Sequence, residues 1–156
     1  MPAFRKKAVL ALRILIIILI CFAIAGFRLR LPRQDLMVLY VVDVSLSVSP
    51  DNLEWAKKYM EKSIASMPSG DSAGIIIFGK DAYLEENPGK STQITRFETI
   101  VDNDNTNISN AIQLATAVFP ESSIKRIVLI TDGNENIGES EKQALLASGR
   151  NVEILC

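Results

Sequence analysis

A chain of 156 residues with a formal net charge of −1 and no histidine bounds its own chemistry. The balanced charge leaves no broad basic surface for nucleic acid, and the lack of imidazole excludes histidine general bases, catalytic triads and His-ligated zinc. The two cysteines, Cys21 and Cys156, are too few for a cysteine zinc site, and their positions make them poor disulfide partners.

The first seven residues form a basic tail carrying Arg5, Lys6 and Lys7. Residues 8–27 are apolar apart from Arg13. About twenty residues at 1.5 Å each span roughly 30 Å, the thickness of a bilayer core, so the stretch predicts one transmembrane anchor. The charge-free part, Ile14–Phe27, is shorter and spans only if Arg13 reaches back toward the headgroups. A buried core helix fits less well, because the stretch is apolar on all faces. A cleaved signal peptide is the other alternative, since Ala23-Ile24-Ala25 matches the small-x-small cleavage pattern. Arg28, Arg30 and Arg33 nearly balance the basic tail, so the positive-inside rule gives little orientation. A single anchor entering N-terminus first leaves the globular part outside the cytoplasm; an earlier span would reverse that. Residues 28–35 read as a linker.

Residues 36–156 supply about 120 residues, enough for a modest core. A valine-rich apolar run over 37–43 reads as a strand covered on both faces. Ser49-Pro50 then gives an N-cap and a first-turn proline. The following helix runs to about Met67, with Leu53, Ala56, Met60, Ile64 and Met67 on one face. Ser69-Gly70 ends it, the glycine suiting a left-handed cap. A second buried strand covers 73–78, and a turn leads to a short antiparallel partner at 82–84. Residues 85–105 are polar, with a further strand expected over 93–101. A helix follows over 107–119, stopped by Pro120. A strand at 125–131, a helix at 140–148 closed by Gly149, and a strand from Val152 complete the series. Alternating strands and helices predict a Rossmann-like α/β fold, a mainly parallel sheet with helices on both faces. The series stops inside its last strand, so the domain reads as truncated at its C-terminal end.

Two acids stand out against this frame. Asp43 leaves the first strand in Asp43-Val44-Ser45-Leu46-Ser47, and Asp132 follows a second apolar run in Thr131-Asp132-Gly133. If the two strands are parallel neighbours, both carboxylates reach the sheet edge where open α/β folds bind ligands. Thr106 sits just before an amphipathic helix and can bring a hydroxyl to the same edge. Clustered oxygen donors suit a hard divalent cation. The three pieces, in this order and setting, resemble the metal-ion-dependent adhesion site of von Willebrand factor type A (VWA) domains. Alone, Asp-x-Ser-x-Ser is weakly specific; together the pieces are strongly so. The basic-apolar stretch with Leu12-Arg13-Ile14-Leu15 also resembles bacterial membrane-anchored members.

The resemblance implies that Ser45, Ser47 and Thr106 hold the cation through hydroxyl oxygens, with Asp43 and Asp132 binding directly or through water. Mg2+ is the expected ion, with Mn2+ or Ca2+ compatible with the same oxygens. The site would be a docking point, completed by an Asp or Glu carboxylate of a protein partner, on a non-enzymatic, membrane-tethered module. Two departures stand out: Asn105 where the family often has glycine, and no final helix.

Other readings compete. Ser45, Ser47 and Ser49 can serve as turn and cap residues, and Asp102 and Asp104 as solvated loop acids. An EF-hand over 102–113 fails at Asn107 and Gln113. Asn107-Ile108-Ser109 matches a glycosylation sequon by chance of pattern. Trp55 and Tyr59 read as packing or surface residues. A phosphohydrolase of the haloacid-dehalogenase kind also places an acid after its first strand, but needs a second acid where Ser45 stands, and serine is a poor proton donor near neutral pH. A metal-free scaffold with a relic site is the third possibility.

Overall fold

The computed structural model describes residues 3–24, 35–90, 97, 99 and 101–156. The chain divides into two units, residues 1–33 and 34–156.

The first unit holds helix α1, Ala3–Ile24. Its large apolar side chains from Val9 to Ile20 are exposed, among them Leu10, Leu12, Ile16, Ile17 and Leu19. Among the described residues, no helix is long and apolar enough to cross a membrane. The transmembrane span expected over 8–27 is thus not reproduced as such. Arg13 interrupts the run, and the charge-free turns Ile14–Ile24 cover about 16 Å at 1.5 Å per residue, short of a bilayer core. Residues 25–27 of the expected anchor, and the linker up to 34, lie outside the described residues.

Among its described residues, the second unit holds a five-stranded sheet of order β3-β2-β1-β4-β5. Its strands are β1 (Leu36–Asp43), β2 (Ser72–Phe78), β3 (Ala82–Gly89), β4 (Ile124–Ile130) and β5 (Val152–Leu155). β1 pairs in parallel with both β2 and β4, and β4 in parallel with β5. Only β3 is antiparallel, against β2. It sits at an edge and carries Pro88, which an edge strand tolerates because the missing N–H costs no ladder bond. At the other edge, Arg126 and Glu153 face each other in register and form a 2.7 Å ion pair across β4 and β5.

β1 shows why its sequence is apolar throughout. Val38, Tyr40 and Val42 pack on one face against Ala56 and Met60 of helix α2 (Pro50–Ala65). Leu39 and Val41 pack on the other, with Ile108, Ala111, Ile112 and Ala115 of helix α3 (Ile108–Val118) and Ala147 of helix α4 (Ser140–Ser148). Each fully buried aliphatic side chain contributes about 1.5–3 kcal/mol, so alternation over two cores makes β1 the axis of the fold. Tyr40 donates its hydroxyl to Ser63 Oγ at 2.6 Å, tying β1 to the far turn of α2. Burial pushes the Tyr40 phenol up from its ordinary value.

The mainly parallel sheet with helices on both faces matches the expected class. Ser49 caps α2, accepting the Asn52 N–H at 3.3 Å, with Pro50 following it. Details differ. α2 ends at Ala65, capped by Ser66 in ordinary right-handed geometry. Gly70 is not left-handed; it is needed for space, because a Cβ there would lie 2.6 Å from Asp35 Oδ1. β3 continues to Gly89 rather than stopping at 84. Most of the strand expected over 93–101 lies outside the described residues.

Topology places the functional edge. From β1 the chain crosses through α2 to β2 on one side, and β4 later joins β1 on the other. The C-terminal end of β1 is therefore the point where strand order reverses, the usual ligand crevice of open α/β sheets.

Candidate metal centre

Asp43 is the last residue of β1 and has no exposed surface. A carboxylate in such a place must be satisfied by hydrogen bonds or a cation. Its Oδ1 accepts the Ser45 N–H at 2.9 Å, a short-range turn that bends the chain out of the strand. Its Oδ2 accepts the Thr131 hydroxyl at 2.7 Å. Thr131 follows β4 directly, one step beyond the register pair Val42–Ile130. Parallel pairing of β1 and β4 thus delivers this partner across a separation of 88 residues. Both donors are neutral, and each carboxylate oxygen keeps a lone pair free.

The loop after Asp43 places two hydroxyls together. Ser45 Oγ and Ser47 Oγ lie 2.8 Å apart. Ser45 is buried, whereas Ser47 is exposed. Asp132, next after Thr131, is also exposed and is shaped by its own turn. Gly133 takes φ +82°, which a side chain would oppose. Asn134 then folds back, its N–H reaching Asp132 Oδ1 at 3.0 Å and its side-chain amide Oδ2 at 3.2 Å. The Asn134 N–H, aided by the nearby Ser47 hydroxyl and the Asn134 amide, holds the Asp132 carboxyl below its ordinary value against a smaller opposing effect of burial.

Thr106 is buried at the start of α3 and joins the same edge through its main chain. Its N–H donates to Asn136 Oδ1 at 2.9 Å. Its carbonyl accepts the N–H groups of Asn136 and Ile137, both at 3.2 Å. The preceding segment is tied in as well: Asn103 accepts the Leu46 N–H at 3.0 Å, and Gly79 accepts the Asn107 N–H at 2.8 Å. Gly79 permits this crossing, since a Cβ there would meet the Asp102 carbonyl at 2.5 Å. Asn107 caps α3, accepting the Asn110 N–H at 2.9 Å, which gives the sequon asparagine a structural role.

Of the five residues singled out in the sequence, Asp43, Ser45, Ser47 and Asp132 are linked by direct contacts or through Thr131. Thr106 is held by the loop that follows Asp132. Among the described residues, no group of three or more Cys, Asp or Glu side chains could hold a metal ion. The set here is different in kind: two carboxylates and three hydroxyls, all hard oxygen donors of the type Mg2+, Mn2+ and Ca2+ take. Beside it, a cavity of about 210 Å³ opens between α2 and the ends of β1 and β4, lined by Asp43, Asn52, Trp55, Thr131 and Asp132 among others. Trp55 and Tyr59 stack at 5.4 Å on the exposed side of α2.

Sequence reasoning missed Thr131, Asn134, Glu135 and Asn136. Thr131 was findable, being in register with Asp43, and Asp132-Gly133-Asn134 is a legible turn. The bonds from Glu135 and Asn136 are long-range and carry no local signal.

Comparison with known proteins places these features in context. A family model for the von Willebrand factor type A domain matches residues 38–135. Inter-alpha-trypsin inhibitor heavy chain H3 of Bos taurus is 27% identical over 138 residues, covering 78% of this chain. The match spans only 16% of that protein's length. Among solved structures, an aerotolerance-related membrane protein from Bacteroides fragilis superposes with a TM-score of 0.62 at 27% identity, covering 77% of this chain and 65% of that one. Proximal thread matrix protein 1 from the mussel byssus, solved with a zinc-occupied metal-ion-dependent adhesion motif, superposes at 0.65 with 16% identity. It covers 78% of this chain and 37% of that one, a likeness of fold alone.

The Asp132 environment sets a sign. Its folded value lies below the unfolded one, so its ionised form favours the folded state above the ordinary aspartate range, and that contribution is lost as pH falls through the lowered midpoint. Carboxyl-carbon NMR titration should find the Asp132 midpoint below the ordinary range and shifted upward in Asn134→Ala. An ordinary midpoint unmoved by the substitution would contradict this account of the turn.

Proposed function

The chain belongs to the von Willebrand factor type A family, and on that premise we propose that it is a membrane-tethered module that binds a protein partner through a divalent cation. The observation that carries the reading is the buried Asp43 carboxylate, met among the described residues by the neutral donors of Ser45 and Thr131 and set beside the paired hydroxyls of Ser45 and Ser47.

Ser45, Ser47 and Thr106 would offer hydroxyl oxygens to the ion, and Asp43 and Asp132 would bind it directly or through water. Mg2+ is the proposed ion, since it prefers about six oxygens and keeps some of its waters. Three of the five donors are neutral, so the bound ion would retain positive character. Ser47 and Asp132 lie at the exposed rim, where an Asp or Glu carboxylate of a partner could reach the open position. Binding, rather than turnover, is the function this donor set supports. The phosphohydrolase reading is not favoured, because residue 45 supplies a hydroxyl where that chemistry needs a carboxylic acid.

Tethering is supported by α1, whose large apolar side chains from Val9 to Ile20 are exposed, and by the described membrane nature of the Bacteroides fragilis relative. In this reading residues 8–27 lie in the bilayer, residues 28–35 link, and residues 36–156 stand on the extracytoplasmic side.

Thermal melting of the full chain in EDTA, Mg2+ and Mn2+ tests the site. At 100 times the dissociation constant, binding should add about 2.7 kcal/mol of stability. Asp43→Ala and Thr106→Ala should each remain folded and lose that gain. Equal gains in native and both variants would refute the assignment, and no gain in the native chain would favour a relic site. Alkaline carbonate extraction tests the tether: the full chain should stay with membranes, and release into the wash would count against it.

A further inference from the structure

The loop after Asp132 is braced at three consecutive residues, Asn134, Glu135 and Asn136. Asn134 holds Asp132 through both carboxylate oxygens. Glu135 reaches two helices: its Oε1 accepts the Ser109 N–H in the first turn of α3 at 2.9 Å, and its Oε2 accepts the Ser140 N–H opening α4 at 3.0 Å. An anion at two helix N-termini satisfies N–H groups that have no partner within the helix and complements both dipoles. Asn136 then grips the main chain of Thr106 from both sides, through its side-chain oxygen at 2.9 Å and its own N–H at 3.2 Å.

One short segment thus carries Asp132 at one end and Thr106 at the other, anchored between them to α3 and α4. The neighbours of Thr106 are fastened elsewhere, Asn103 to Leu46 and Asn107 to Gly79. The bonds to Thr106 itself come from residues 136 and 137. Asn136 is exposed, so hydrophobic packing gives no reason for its side chain to be where it is.

We infer that Asn136 is a positioning residue, which fixes Thr106 relative to Asp132 and thereby sets the cation affinity of the site; this rests on the metal reading above. A small octahedral ion tolerates little displacement of its ligands. Residues that orient metal ligands commonly account for about 10- to 100-fold in affinity. Asn136 acts through the Thr106 backbone and does not touch the ion.

The test uses the full chain, with Mn2+ affinity measured by titration and Thr106 amide exchange measured in EDTA. Asn136→Ala should weaken Mn2+ binding about 10- to 100-fold and speed exchange at Thr106, while metal-free melting stays near native. Asn136→Asp keeps the acceptor oxygen, so it should restore slow exchange and bind Mn2+ at least as tightly as the native chain. Native affinity in Asn136→Ala overturns the inference, as does equal weakening in both variants, because the acceptor would then not matter. A native chain that binds no Mn2+ overturns the metal reading and this inference together, and that failure is told apart by appearing in the unsubstituted protein.

Discussion

The hydrogen bond from the Thr131 hydroxyl to the buried Asp43 carboxylate is the interaction on which the rest of the edge depends. It joins the C-terminal ends of the two central parallel strands. Burying a carboxylate is costly unless its charge is met, and here an N–H and an O–H meet it without neutralising it. A buried carboxylate met by neutral donors is an environment suited to a cation. In the metal reading proposed above, the hydroxyls of Ser45, Ser47 and Thr106 would supply the remaining oxygens without adding further negative charge.

That arrangement follows from topology. β1 is covered on both faces, so its side chains have no route to solvent except at its end. The reversal of strand order beside it leaves that end uncovered by a crossover helix. Three loops then converge: the one after β1, the one before α3 and the one after β4. Main-chain bonds from Leu46 to Asn103, and from Asn136 and Ile137 to Thr106, stitch them to one another, and Asn107 ties the second of them to Gly79 after β2. Precision in such a site comes from these cross-links, because the loops have no regular ladder of their own.

Much of this was legible in the sequence. The apolar run before Asp43, the Ser49-Pro50 start of α2 and the helical face of α3 each state their structure locally, and the structure agrees. Asp43 and Asp132 could be placed at one edge because parallel strands align their ends. What could not be read depends on distant pairing. The apolar spacing predicts a helix to about Met67, whereas α2 ends at Ala65 with Ser66 as its cap. Gly70 looked like a left-handed cap, yet its requirement is room for Asp35, which only the folded chain brings near. Glu85, Glu86 and Pro88 read as loop in the sequence, whereas an edge strand accepts them and β3 runs to Gly89. The bracing by Glu135 and Asn136 needed the three-dimensional arrangement to be seen at all.

The metal reading stands or falls on whether the Asp43 edge holds a divalent cation. The most direct measurement is anomalous diffraction from crystals of the protein grown with Mn2+. One manganese peak is expected within direct coordinating distance of the Ser45, Ser47 and Thr106 hydroxyls, close to Asp43 and Asp132. Crystals showing no manganese at that edge, or manganese bound elsewhere with these five side chains unengaged, would contradict it.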